Sequence, residues 1–170
     1  MTDLPYSHPV SVIELPPHGL DLELAPDAAA RAALARHAGV LAVEDLKARL
    51  HFAPEGAQGV RVTGRLAGTV RQTCGVTLEA FDAPLSEEID VLFAPPGTAP
   101  PADPEDEENE IDPPDEIVDG RIDAGALVGE FLALGVDPYP RKPGAVFEPP
   151  AEDPAAASPF SALSRLKDPK

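Results

Sequence analysis

Cysteine and histidine, the residue types that most often carry chemistry, are few and widely separated in this chain. Cys74 is the single cysteine among 170 residues, and the four histidines lie at positions 8, 18, 37 and 51. One cysteine forms neither an internal disulfide nor a thiolate metal site, which is typical of a reducing compartment. A nucleophilic pair of Cys74 with His51 across a hairpin is one interpretation, but a small cysteine packed in a strand is commoner. We therefore predict a protein that is not an enzyme, with no catalytic residue, no metal site and no cofactor.

Carboxylates are concentrated in one short segment. Ten acidic residues and no Lys or Arg lie between Asp103 and Asp119. Weak binding of Mg²⁺ or Ca²⁺ is one interpretation, but the segment lacks the glycine turn and ligand spacing of a calcium loop. A solvated run of like charges, interrupted by prolines, is commoner. We predict that residues 95–116 form a mobile acidic loop.

Basic side chains gather on two predicted strands, although the net charge is −17. Apolar and polar residues alternate in residues 44–53 and 60–74, so every second side chain points to the same face. Pairing as a hairpin would bring six basic residues to the outer face: Lys47, Arg49, His51, Arg61, Arg65 and Arg71. Three interpretations stay open: a solvated sheet face, a counter-surface for the acidic loop, or a contact with RNA phosphates. A pI near 4.4 argues against a uniformly basic surface for nucleic acid, and we expect no DNA partner.

An antiparallel sheet must position these groups. Besides the two strands above, the segment around Val10 and Val12 and residues 85–94 have strand patterns, and residues 54–59 have the composition of a hairpin loop. Gly64 and Gly68 inside the long strand predict a bend or a bulge. We expect an α+β fold with an antiparallel β-sheet or a partly open barrel.

Helices complete the predicted fold. An Ala-rich helix should begin after Asp27 and end before Gly39, and a second helix should follow the acidic loop, with Asp123 as its N-cap. The second helix carries an apolar stripe that should pack on the sheet. A short C-terminal helix would place three apolar side chains on one face: Phe160, Leu163 and Leu166.

The composition divides the chain into five parts. Residues 1–94 form a β-rich core with the N-terminal helix, and residues 95–116 form the acidic, Pro-rich loop. Residues 117–137 carry the helix that completes the same domain, residues 138–158 are a Pro- and Ala-rich linker, and residues 159–167 are the amphipathic segment. The N-terminus lacks a basic start and an apolar run, and no apolar stretch approaches the ~20 residues of a membrane span. We expect a cytoplasmic protein with no membrane partner.

Four stretches, in this order, carry a resemblance to a known family. They are Val62-x-Gly64-x-Leu66-x-Gly68-x-Val70-x-Gln72-Thr73-Cys74-x-Val76-Thr77-Leu78-Glu79, Glu87-x-Ile89-x-Val91-x-Phe93, Glu116-x-Val118-x-Gly120-x-Ile122-Asp123 with Leu127-Val128-x-Glu130-Phe131-x-Ala133-Leu134, and Pro159-Phe160-x-Ala162-Leu163-x-x-Leu166-Lys167. Together they resemble the YceD family, the large ribosomal RNA subunit accumulation proteins, in its alphaproteobacterial branch.

One departure from the family pattern concerns its cysteines. Many members outside this branch have Cys-x-Arg-Cys-Leu where this chain has Cys74-Gly75-Val76-Thr77-Leu78. Thr77 thus stands at the second cysteine, and a neutral hydroxyl is a poor substitute for a thiolate on zinc. We therefore carry over no metal role, and we expect Cys74 to be a packed strand residue. The positions of the family motif are occupied in this chain by Cys74, Thr77, Leu78 and Asp123.

The resemblance implies a non-enzymatic role in the accumulation and processing of 23S rRNA during assembly of the large ribosomal subunit. In one hypothesis, the sheet face contacts pre-rRNA or a large-subunit intermediate, through Lys47, Arg49, Arg61, Arg65 and Arg71. The acidic loop would then limit nonspecific binding by competing for that face. In the alternative, the protein is an acidic adaptor or chaperone for a ribosomal protein or a processing nuclease. The segment with Phe160, Leu163 and Leu166 either caps the core of this domain or docks a protein partner.

Overall fold

A computed structural model describes residues 4–56, 58–98 and 113–147 of the chain. Most of the predicted acidic loop, residues 99–112, lies outside the described residues. The C-terminal segment with Phe160, Leu163 and Leu166 lies outside them too. The described elements, in chain order, are β1 (Pro9–Ser11), β2 (Leu20–Leu24), α1 (Ala28–Ala38), β3 (Ala42–Glu55), β4 (Gly59–Thr73), β5 (Ala80–Ala94), β6 (Asp115–Glu116), β7 (Arg121–Asp123) and α2 (Ala124–Gly135).

The main sheet has five strands in the order β2-β3-β4-β5-β6, and β1 pairs with β7 in a separate two-stranded sheet. All strand pairs are antiparallel except the short parallel pair of β5 with β6. The sheet is not closed into a barrel, so the open-sheet form of the α+β prediction is confirmed. Neither helix in the described part of the chain is long and apolar enough to cross a membrane.

The long hairpin of β3 and β4 supplies much of the core. Its inward side chains are the alternating apolar residues of the sequence, none of them more than 3% exposed: Leu46, Ala48, Leu50, Phe52, Val60, Val62, Leu66 and Val70. Removing these side chains from water is favourable, and a pleated strand sends alternate side chains to the same face. The predicted hairpin is therefore confirmed, and its register fixes which polar residues point outward.

Two glycines let β3 and β4 approach each other more closely than side chains would allow. A Cβ atom on Gly64 would lie 2.1 Å from the carbonyl oxygen of Arg49, and one on Gly68 would lie 2.4 Å from the carbonyl oxygen of Asp45. Pairing continues through both glycines without interruption. The register shift lies between Val43 and Asp45 of β3, opposite the residues that follow Gly68. The bulge that the glycines of β4 predicted therefore lies on β3, the strand that pairs with it.

Both internal helices begin where the sequence predicts. The Asp27 side chain accepts a hydrogen bond from the Ala30 amide at 2.8 Å, and α1 ends at Gly39 in the left-handed conformation. Leu34 of α1 is fully buried, and α1 packs against β3 and α2. Helix α2 packs its apolar stripe against α1 and the sheet, as predicted.

The structure corrects the N-terminal region. Strand β1 ends at Ser11, and a single 3₁₀ turn begins at Val12, so the predicted strand through Val12 is wrong. Strand β2 was not predicted, although its Leu-Asp-Leu-Glu-Leu sequence alternates, because prolines lie close on both sides of it. It pairs with residues 48–52 of β3 and adds two carboxylates to the sheet.

Candidate functional site on the outer sheet face

Strands β2 to β5 present their polar side chains on the face opposite the core, which we call the outer face. The five predicted basic residues all lie there and are exposed: Lys47, Arg49, Arg61, Arg65 and Arg71. They are brought to one face by the alternation of β3 and β4 and by the register between these two strands. The same register places His51 on this face opposite Thr63.

Two of the arginines are held by carboxylates from β5. Arg61 donates to both oxygens of Asp90, at 2.7 and 2.8 Å, and Arg71 donates to both oxygens of Asp82, at 2.8 and 3.1 Å. Two-point guanidinium contacts of this kind are the strongest form of ion pair. The hydrogen bonds lower the pKa of Asp82 and Asp90 and raise the pKa of both arginines. Arg61 and Arg71 are therefore already occupied within the sheet.

Strand β2 adds further acids at the other side of the outer face. The Arg49 Nε donates to Glu23 at 2.8 Å, and the His51 ring lies 2.7 Å from Asp21. The Arg49 hydrogen bond and charge lower the pKa of Glu23. Among the described residues, six carboxylates lie within 4 Å of a basic side chain of this face: Asp21, Glu23, Glu44, Glu55, Asp82 and Asp90. The outer face thus carries both signs of charge, and the expectation of a concentrated basic patch is wrong.

The centre of the outer face retains a smaller group of cations, Lys47, Arg49 and Arg65, which we call the central cluster. Arg49 lies directly opposite Arg65, and Lys47 lies opposite Ala67, one diagonal step from Arg65. Arg65 donates through Nε to the Ser86 hydroxyl at 3.0 Å. In the described ranges neither Lys47 nor Arg65 forms an ion pair. Like charges opposite each other on neighbouring strands repel, and an anion bound here would be stabilised. The charge of Arg49 is already partly balanced by its single-point contact with Glu23, so Arg65 and Lys47 contribute most to that stabilisation.

Cys74 follows the last residue of β4 and is fully buried. Its sulfur accepts hydrogen bonds from the amides of Val76, Thr77 and Lys142, each at 3.4 Å. Together with the Thr77 side chain, these bonds lower the pKa of Cys74 to about 6 because they stabilise the thiolate. The packed position agrees with the sequence-based expectation, although Cys74 lies just after β4 and not within the strand. A pair with His51 is not formed, since Thr63, the partner of His51, lies eleven residues along β4, or about 35 Å.

The other motif residues of this loop have distinct environments. The Thr77 hydroxyl oxygen lies 3.5 Å from the Glu79 amide, and the Leu78 amide donates to the Cys74 carbonyl oxygen at 2.9 Å. Leu78 adopts a φ of 59°, and its side chain is 78% exposed. A left-handed conformation is unfavourable for leucine, and because the side chain is exposed, burial of apolar surface does not offset this strain. Leu78 is thus a strained, exposed apolar residue, which the sequence did not indicate.

Asp123 holds three parts of the chain together. Its carboxylate accepts hydrogen bonds from the Ser7 hydroxyl, the His8 amide and the first two amides of α2, at 2.5 to 3.0 Å. Desolvation raises the pKa of Asp123, but these hydrogen bonds outweigh it, so the pKa is lowered. The predicted N-cap is confirmed, and the contacts to Ser7 and His8 were not predictable from local sequence. Within the described residues, no group of three or more His, Cys, Asp or Glu side chains is placed to hold a metal ion.

A family model described as "Large ribosomal RNA subunit accumulation protein YceD" matches residues 62–167, which is more than half of the chain. The chain belongs to the YceD family. The family resemblance deduced from the sequence is thereby confirmed. Neither the curated proteins nor the solved structures contain a match to this YceD chain. The matched region includes Arg65, Cys74, Leu78 and Asp123, whereas the N-terminal part with Lys47 and Arg49 precedes it.

Proposed function

We propose that this YceD family member supports the accumulation of large-subunit ribosomal RNA in the cytoplasm as a non-enzymatic factor that binds RNA. The family description supports the general role. The non-enzymatic part is supported by the contacts of the reactive groups. Asp123 caps a helix, the Cys74 sulfur is surrounded by backbone amides, and the His51 ring is paired with Asp21.

The observation that carries RNA contact is the opposition of Arg49 and Arg65 on neighbouring strands. Arg49 and Arg65 stand opposite each other in the register, and their Nε groups donate outward to Glu23 on β2 and to Ser86 on β5. With Lys47 one diagonal step away, the three side chains give this part of the face a local positive charge that suits phosphates. Arg61 and Arg71 are less suited because each would have to leave a two-point ion pair, whereas Arg49 would leave only a single-point contact with Glu23. We therefore narrow the predicted RNA-binding residues to the central cluster.

The test is binding of transcribed large-subunit rRNA at several salt concentrations. The double variant Arg49→Gln with Arg65→Gln should bind about 10-fold more weakly, and its salt dependence should be smaller by about one to two released ions. The matched control, Arg61→Gln with Asp90→Asn, removes an arginine of the same face together with its partner. The control should bind within about 2-fold of the natural protein. Equal weakening in both variants, or binding insensitive to salt, would refute the assignment.

A second candidate function is a protein-binding adaptor, and Leu78 is the observation that favours it. An exposed leucine held in a left-handed conformation gains stability when a partner covers it. Asn adopts this conformation readily, so Leu78→Asn should keep the fold and lose the apolar contact. If the adaptor function is correct, Leu78→Asn reduces in-cell cross-linking to one assembly protein, while the double arginine variant does not. Loss of this cross-link in the double arginine variant but not in Leu78→Asn would exclude the adaptor function.

A further inference from the structure

A groove lies between α2 and the segment that carries β6 and β7, on the side of the sheet opposite the outer face. Its volume is about 610 Å³. Phe93, Ile122 and Leu127 line it with side chains that are otherwise buried. Leu4 and Val118 line it too and are 45% and 64% exposed. Leu4 and Val118 thus leave apolar surface open to water above a buried apolar floor, which is typical of a surface that another segment covers.

The edge of the groove is acidic. Asp115, Glu116, Asp119 and Glu130 line it, with Arg121 as the one basic lining residue in the described ranges. None of these four carboxylates forms an ion pair with a described residue. Desolvation and the nearby charge of Asp115 raise the pKa of Glu130, while the charge of His37 acts in the opposite direction. A cation at this edge would therefore be stabilised.

We propose that residues 159–167 of this chain bind in the groove. The segment has the complementary composition, because it contains two basic residues and no acidic one. Its apolar side chains would contact the floor and its basic side chains would lie at the acidic edge: Phe160, Leu163, Leu166, Arg165 and Lys167. The apolar residues recur every third position, as required for one face of a short helix. Of the two roles open to this segment, the groove thus favours capping of the domain.

The chain is long enough to reach the groove. Lys142 is fixed near the start of β5 by its contact of 3.0 Å with Glu79. From Glu79 to Phe93 is fourteen residues of strand, at most about 46 Å. From Lys142 to Phe160 is eighteen residues, which span about 56 Å in the extended conformation typical of Pro-rich sequence. The YceD match spans residues 62–167, so it contains the segment and all of the groove lining except Leu4 and Pro9.

The first test is zero-length carbodiimide cross-linking of the full-length protein, which joins an amine to a carboxylate in direct contact. Lys167 should be joined to Glu116, Asp119 or Glu130, and an equal mixture of ¹⁵N-labelled and unlabelled protein should show that the link lies within one chain. Links of Lys167 spread over remote acids such as Glu14, or links mainly between labelled and unlabelled copies, would overturn the proposal.

Hydrogen exchange gives a second, independent test. Leu163→Asp should accelerate exchange of the α2 amides near Leu127 about 10-fold, because the groove loses its cover. Phe147→Asp is the matched control, since Phe147 is 69% exposed and precedes the segment. Unchanged exchange in Leu163→Asp, or the same acceleration in the control, would overturn the proposal. Neither variant alters the central cluster, so this result is separable from the RNA-binding test.

Discussion

Asp123 gives the prediction whose magnitude follows most directly from the structure. Replacing Asp123 with Ala removes the cap of α2 and leaves the partly buried amide of His8 without its acceptor at 2.8 Å. Loss of an N-cap costs about 1 kcal/mol, and an unsatisfied amide costs a further 1–3 kcal/mol, roughly. We expect Asp123→Ala to lower the free energy of unfolding by about 3 kcal/mol. That is a large fraction of the stability of a domain of this size.

Asp123→Asn is the matched control for charge. The oxygen that accepts from His8, Gly125 and Ala126 is kept in the amide. The variant loses the negative charge, and the oxygen that accepts from the Ser7 hydroxyl becomes an NH2 donor, to which that hydroxyl can turn its own oxygen. We expect a loss of about 1 kcal/mol at pH 7. Because folding lowers the pKa of Asp123, its charge stabilises the fold above the unfolded pKa, and this stabilisation is lost as pH falls through the folded pKa. The difference in the free energy of unfolding between Asp123→Asn and the natural protein should therefore disappear below the folded pKa of Asp123.

The assay is urea unfolding followed by circular dichroism, since the chain has no Trp. The free energies of the natural protein and both variants are compared at pH 7 and at the lowest pH where the fold persists. Equal stability of Asp123→Ala and the natural protein would show that His8 and α2 find other partners. If the difference in unfolding free energy between Asp123→Asn and the natural protein stays constant as the pH falls, the charge of Asp123 does not cause that difference.

Three further predictions concern the sheet and its loop. Gly64→Ala should lower the free energy of unfolding in urea by about 3 kcal/mol because its Cβ meets the carbonyl of the facing strand. Gly75→Ala is the control and should leave this free energy nearly unchanged, since its Cβ would meet only one atom, at 3.7 Å. Equal losses of stability in the two variants would contradict the close approach of the strands at Gly64. The free energy of unfolding of the natural protein should rise from pH 6 to about pH 8.5, because folding lowers the pKa of Cys74. Cys74→Ser should remove this rise. If the rise persists in Cys74→Ser, another titrating group causes it. Leu78→Gly should raise the free energy of unfolding by about 0.5–1 kcal/mol, since glycine adopts positive φ without strain. A urea midpoint lower than that of the natural protein would contradict this and show that the leucine side chain stabilises the fold by packing.

The sequence predicted the hairpin, both internal helices and the placement of the five basic residues on one face. The physical reason is local: alternation along a strand and capping residues at helix ends act within a few residues of each other. Strand β2 was not predicted, because five residues between prolines give too short a pattern. With β2 missing, the contribution of Asp21 and Glu23 to the outer face could not be foreseen.

The charge of the outer face was decided by tertiary structure. The side chains of Arg61 and Arg71 point outward because of their own strand, but their carboxylate partners lie on β5 and are selected by the register between β4 and β5. Register depends on the pairing of whole strands, which no short motif specifies. The strain at Leu78 and the position of Cys74 among three amides likewise depend on how the loop folds.

What the sequence alone determined is the family, the antiparallel architecture and which residues point away from the core, because each rests on order and spacing along the chain. Tertiary structure alone decided which of those residues remain available. It pairs Arg61 and Arg71 with β5 and Arg49 with β2, gives Lys47 and Arg65 no ion pair among the described residues, and opens an acidic groove beside α2. Availability depends on distances between residues far apart in the chain, and only the folded arrangement sets those distances.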